Sequence, residues 1–211
     1  MHISEGVLSA PILIGGAALA LGGVARGLKD VDGERIPKAA ILAAMFFTAS
    51  LIHVKIGPGS AHLVLSGLMG LLLGWAAFPV IAMGLLLQGL LFQFGGLSTL
   101  GINTFNMAAP AALLGVICRK GIISQNGVIS GLFAFFCGGG SVFISALMVA
   151  VCLLWTGSEF TVAARALVLS NLPVIIIEGL ITLLCARFLK KVRPELLRHS
   201  VLGAEKSAVA Q

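Results

Sequence analysis

The sequence predicts an all-α membrane protein, a bundle of seven transmembrane helices. Three observations carry that expectation. Of the 211 residues, 58% are hydrophobic and only 10% charged, with a mean hydropathy of +1.08. A soluble domain carries about 25% charged residues, so these charges are too few to coat a water-facing surface. The apolar residues fall into runs near the roughly 20 that one helical crossing needs, and a helix satisfies its own backbone in lipid. Finally, the basic residues gather in short clusters between the runs. That placement fits the positive-inside rule and turns the net charge of +6 away from nucleic acid.

The runs lie at 7–24, 39–54, 62–77, 79–94, 105–118, 127–155 and 172–189. The sixth is long and carries Gly138, Gly139 and Gly140. Three glycines there mark a kink or a close helix contact, or else a break that would make eight helices. Charge arbitrates. With seven helices and the N-terminus outside, the cytoplasmic segments hold Arg26, Lys29, Arg35, Lys38, Arg119, Lys120, Arg187, Lys190, Lys191, Arg193, Arg198 and Lys206. Only Lys55 and Arg165 of the 14 basic residues fall outside. A break would expose either the first cluster or the last, so seven helices are expected, with the C-terminus cytoplasmic. One transmembrane domain is expected over 1–190, followed by a polar basic cytoplasmic tail over 191–211.

No signal peptide is expected, because MHISEG has no basic residue to form an n-region. Met1 is read as the true start, and the bulk of His2 predicts that Met1 is retained. The 27 glycines and many alanines suit close helix packing; Ala39/Ala43, Ala40/Ala44 and Gly70/Gly74 form small-residue rows. Internal packing and docking of another membrane subunit both explain such rows. Cys118, Cys137, Cys152 and Cys185 lie in apolar stretches without a C-x-x-C pair and read as small buried hydrophobes.

Polar groups in so apolar a chain invite a functional reading. A free amine at Met1, the amide nitrogen of His2 and the His2 imidazole can chelate one metal ion in a plane, through a five-membered and a six-membered ring. One in-plane position stays open. A square-planar nitrogen set suits nickel(II) or copper(II). From the dipeptide alone, a solvated terminal histidine remains the simpler reading. His53 and His62 sit in the Gly/Pro segment IHVKIGPGSAHL, expected as an outward loop. His62 is the candidate fourth ligand, His53 an interfacial or hydrogen-bonding residue, and His199 a solvated residue of the tail. The stretch FGGLSTLGINTFNMAAP, 94–110, reads as a Gly-rich, turn-rich outer loop, a lid or wall of the site. From it Asn103 and Asn106 are expected to orient His2 or His62; a structural loop explains it as well. Glu5 either bonds a ligand or faces water. Glu178, inside the apolar run 174–184, needs a partner or a role; structural hydrogen bonding and proton acceptance both fit. No H-E-x-x-H, G-x-S-x-G or nucleotide-binding motif is present. An enzyme is therefore not expected, and uphill transport would need a partner ATPase.

MHISEG, GPGSAHL, GGLSTLGINTFNM and NLPVIIIEGLIT, in this order, resemble the CbiM/NikM family, the substrate-capture membrane components of nickel and cobalt energy-coupling-factor transporters. The resemblance runs from Met1 to about Arg187. It implies seven helices with the N-terminus tucked into the bundle. It also implies a square-planar site made by the Met1 amine, the His2 amide nitrogen, the His2 imidazole and His62. The implied cargo is Ni²⁺ or Co²⁺, with no resident cofactor. The implied partners are a membrane coupling subunit, paired ATPase subunits and a small accessory membrane protein, in the inner membrane, with cobalamin synthesis as one metabolic setting. Ser4 stands where the family has Pro, and Asn171 where a histidine is common. Ser4 would loosen the N-terminal path, and Asn171 would remove a supporting partner. Two other readings stay open from the residues: a metal-independent scaffold subunit, and a proton-coupled carrier of a small polar solute with Glu178 as relay.

Overall fold

Most apolar runs become helices, and the exceptions shape the site. The structure, a computed structural model, describes residues 2–31, 33, 36–56 and 59–197, with only the backbone of 53–56 and 59–61. In chain order it has α1 (Ala10–Leu28), α2 (Ile36–Ala49), a hairpin of β1 (His53–Ile56) and β2 (Gly59–His62), and α3 (Ser66–Leu73). A 3₁₀ turn, Gly74–Ala76, leads into α4 (Ala77–Phe92). Then come α5 (Leu100–Ile123), α6 (Gly127–Thr156), α7 (Thr161–Ser170) and α8 (Leu172–Val192). Among the described residues, five stretches are long and apolar enough to cross a membrane, with α3–α4 and α7–α8 each counted as one. Helix α2, at 14 residues, is a shorter apolar helix.

Helix α5 is the axis: 67% of its most apolar window is buried, against 17% for α1. Glycines let neighbours close on it. A Cβ on Gly70 would lie 1.8 Å from the Ala111 carbonyl oxygen, and one on Gly101 2.5 Å from Ala17 Cα. The triple glycine resolves the same way. Helix α6 runs unbroken through it, and a Cβ on Gly138 or Gly139 would strike the α8 backbone at Glu178 or Ile175. These residues mark a close helix contact, so the segment is one helix.

Three expectations need correction. The stretch 94–110 is not a loop throughout, because α5 begins at Leu100. Only Gly95 and Gly96, with φ of +79° and +148°, serve the turn; Gly101 is glycine for helix contact. The segment after α2, expected as a loop, is a hairpin in which His53 pairs with His62. The third run yields an α-helix of only eight residues, bounded by an elbow at Val64 and Leu65, with Leu65 left-handed at φ 54°, and by the 3₁₀ turn Gly74–Ala76. Beyond α8, Leu197 is still buried at 2% exposure. Residues 198–211, with His199, lie outside the described residues, as do Met1 and Arg35.

Both ends of α3 are closed by side chains from elsewhere. At its start, Glu178 Oε1 accepts from the Val64 N–H and, at 2.7 Å, from the Leu65 N–H. At its end, Arg119 Nη2 donates to the Leu71 carbonyl at 2.7 Å, and Lys38 Nζ to the Leu72 carbonyl at 3.0 Å. An acceptor oxygen at the N-terminus and cationic donors at the C-terminus satisfy backbone groups that lipid would leave bare.

Candidate metal centre

Two histidines meet at the end of the bundle where α1, α3 and α5 begin. His2 and His62 are 5% and 3% exposed. Their rings stack with centroids 4.6 Å apart and planes at 19°. The sequence separates them by sixty positions, and two independent clamps bring them together.

The first clamp holds the N-terminal arm. Asn103, in the first turn of α5, reads the backbone of Ile3 on both sides. The Ile3 N–H donates to Asn103 Oδ1 at 3.0 Å, and Asn103 Nδ2 donates to the Ile3 carbonyl at 3.1 Å. Thr99 Oγ1 takes a second bond from the same nitrogen at 3.2 Å, which fixes the amide's orientation. The paired bonds resemble one rung of a strand ladder, so they hold the arm straight beside the residue that carries the imidazole. Ile3 itself is 1% exposed. Gly95 passes over this arrangement; a Cβ there would lie 3.2 Å from Asn103 Nδ2 and 3.6 Å from His2 Cβ.

The second clamp is the elbow after β2. His62 Nδ1 lies 2.9 Å from the Leu63 carbonyl. A carbonyl only accepts, so Nδ1 carries the proton and Nε2 keeps its lone pair for a ligand. The elbow is itself fixed by Glu178.

Glu5 closes the outer side. Its Oε1 accepts from the Ser98 N–H at 2.9 Å and the Ser98 hydroxyl at 3.2 Å. The Ser98 backbone amide foremost holds its carboxyl below the usual carboxylate range. Gly96 is required beneath it, since a Cβ there would come within 1.9 Å of Glu5 Cγ.

Of the expected residues, the structure brings His2, His62, Asn103 and Glu5 into one region. Asn103 acts on the chain beside His2, not on a ring. Asn106 does not join them: buried on α5, it turns its Nδ2 toward Cys152 Sγ at 3.8 Å. The first turns of α5 place Asn103 and Asn106 three residues apart, facing α1's leading arm and α6 respectively. Asn171 is fully buried and donates to the Leu167 carbonyl at 2.7 Å, at the α7–α8 junction. Sequence reasoning missed the Glu178 elbow; the signal available was a lone carboxylate in an apolar run. Among the described residues, no three His, Cys, Asp or Glu side chains form a metal-holding group.

The fold and the site together define a multi-pass membrane protein with a buried imidazole pair at one end of its bundle. The comparisons narrow that class. A family model described as the cobalt uptake substrate-specific transmembrane region, CbiM, matches residues 2–196. The chain belongs to the CbiM family; it is a transporter component and not an enzyme. A Haemophilus influenzae protein named as a metal transport protein is 40% identical over 204 residues, 95% of this chain and 98% of that one. The cobalt transport protein CbiM of Sorangium cellulosum is 30% identical, covering 93% and 94% of the two chains. A fused nickel transport protein, NikMN, of Rhodobacter capsulatus matches over 88 residues at 35%, 41% of this chain and 25% of that one. A solved transition metal transporter superposes with a TM-score of 0.72 at 27% identity, covering 95% of this chain and 97% of the other.

Proposed function

We propose that this protein captures Ni²⁺ or Co²⁺ at the His2–His62 site as the substrate-binding component of an ATP-driven importer. The single observation that carries the proposal is the buried, stacked pair of imidazoles, two nitrogen donors brought together from positions sixty residues apart. The Met1 amine, the His2 amide nitrogen and His2 Nδ1 form a planar tridentate chelate, and His62 Nε2 takes the fourth position. The His62 tautomer supports this, with Nδ1 occupied and Nε2 presenting its lone pair.

The bundle is read as seven crossings, with the site on the outer side and α8 ending in the cytoplasm. The positive-inside bias supports that orientation. Energy comes from ATPase subunits through a membrane coupling subunit, as the chain has no nucleotide motif of its own. For one nitrogen site, affinity rises from cobalt to nickel to copper, so affinity order does not select the physiological ion. Equilibrium binding of Ni²⁺ and Co²⁺ to purified protein tests the proposal: one ion per chain, lost in His62→Ala, is expected. Wild-type protein that binds neither ion refutes it.

A further inference from the structure

We propose that Glu178 is a positioning residue for the His62 imidazole, acting through the single peptide group that joins Leu63 to Val64; this rests on the metal-capture reading above. That peptide group is planar and rigid. On one side its carbonyl, Leu63 O, receives His62 Nδ1. On the other its N–H, that of Val64, donates to Glu178 Oε1. The chain of contacts therefore runs from carboxylate to peptide N–H, through the peptide plane to its carbonyl, and on to the imidazole. A ligating histidine commonly has its second nitrogen held by a carboxylate or a carbonyl. Here both are used in series, with a backbone amide between them.

Three features show why the sequence needs a side chain at this place. Leu65 sits at φ 54° and ψ 22°, a left-handed conformation uncommon for a non-glycine residue, which persists only where its surroundings hold it. Val64 and Glu178 are both 0% exposed, so the Val64 amide has no water to turn to. The same oxygen, Oε1, takes both amides, and Oε2 has no hydrogen-bond partner among the described residues. One acceptor oxygen, correctly placed, thus does the whole task. The Gly138 and Gly139 contacts bring the α8 backbone close enough to α6 for Glu178 to reach across to α3.

The assignment separates Glu178 from a proton relay, because a glutamine supplies the same acceptor oxygen and an aspartate does not reach. In purified full-length protein, E178A should weaken Ni²⁺ and Co²⁺ binding about 10–100-fold, as loss of an outer partner does. E178D should fall with it, keeping the charge but retracting the oxygen. E178Q should lose no more than about fivefold. Hydrogen exchange at the Val64 and Leu65 amides, measured without metal, should be slow in wild type and E178Q and fast in E178A and E178D. R119M removes a cap at the other end of α3, and its binding should stay near wild type. The proposal is overturned if E178A binds as wild type does, if E178Q is as weak as E178A, or if R119M loses as much. Should E178A not fold, the opposed behaviour of E178Q and E178D decides alone. Wild-type protein that binds neither ion overturns the metal reading and with it Glu178's part in the site; exchange then still reports whether the elbow is clamped.

Discussion

The two ends of the bundle solve the same problem with opposite charges. Where His2 and His62 meet, the chain is irregular: an arm, a hairpin end and a left-handed elbow enter at the depth of the helix starts. Neutral and acidic side chains hold it, Asn103 on Ile3 and Glu178 on Val64 and Leu65. At the other end of α3, cations hold the carbonyls, Arg119 on Leu71 and Lys38 on Leu72. There Lys190 also donates to the Ser124 carbonyl beyond α5 and to Ser130. The first end gathers the proposed ligands, and the second only finishes helices. The difference teaches that polar groups buried in this chain need not all be functional. What separates them is whether the backbone they hold carries one of the two stacked histidines.

That contrast can be broken deliberately. The largest effect is expected from His62→Ala, which should abolish Ni²⁺ and Co²⁺ binding while the circular dichroism spectrum of the helices stays unchanged. Retained affinity in that variant would remove His62 from the site. Asn103→Ala should come next. It leaves the Ile3 N–H and carbonyl without their partner, at about 1–3 kcal/mol per buried group. Metal affinity should drop about 10–100-fold and the thermal midpoint should fall. At the opposite end, Arg119→Met should lower the thermal midpoint while changing affinity by only about twofold, as expected for distant, independent sites. Equal losses of affinity in these two variants would erase the distinction between the ends.

Glu5 should give the smallest effect. Its carboxyl titrates below its ordinary value because Ser98 bonds the charged form. A group lowered in the folded state stabilises it above the unfolded value, and that stabilisation disappears as pH falls through the folded value. The midpoint difference between wild type and Glu5→Gln should therefore be present at pH 7 and vanish in acid. A difference that does not change with pH contradicts the latch.

Much of this was legible in the chain. The helices follow from composition and run length, and the pairing of His2 with His62 from the motifs that resemble the CbiM/NikM family. The start of α5 was not legible. In GGLSTLGINTF the glycines look alike, yet Gly95 and Gly96 turn the chain while Gly101 admits α1. Local pattern cannot tell these apart, because the second use depends on a residue 84 positions earlier, Ala17. Helix α7 was missed because Arg165 and its short length hide it from a hydropathy reading. Asn106 was misread for a related reason. The Gly-rich stretch around it reads as loop, so the face it presents to α6 is not apparent from the sequence. Glu178 was visible as an anomaly, but its role lies in an elbow that no periodicity announces.

The proposed chelate makes one demand that no side chain can meet: a free amine at Met1. A short extension ahead of Met1, shown by mass spectrometry to persist, converts that amine into an amide and leaves every side chain in place. The same extension at the C-terminus serves as control. Equilibrium binding of Ni²⁺ and Co²⁺ to both purified forms tests the account most directly. The account predicts that the N-terminally extended protein fails to bind while the C-terminally extended one binds as wild type. Native affinity in the N-terminally extended protein would contradict it.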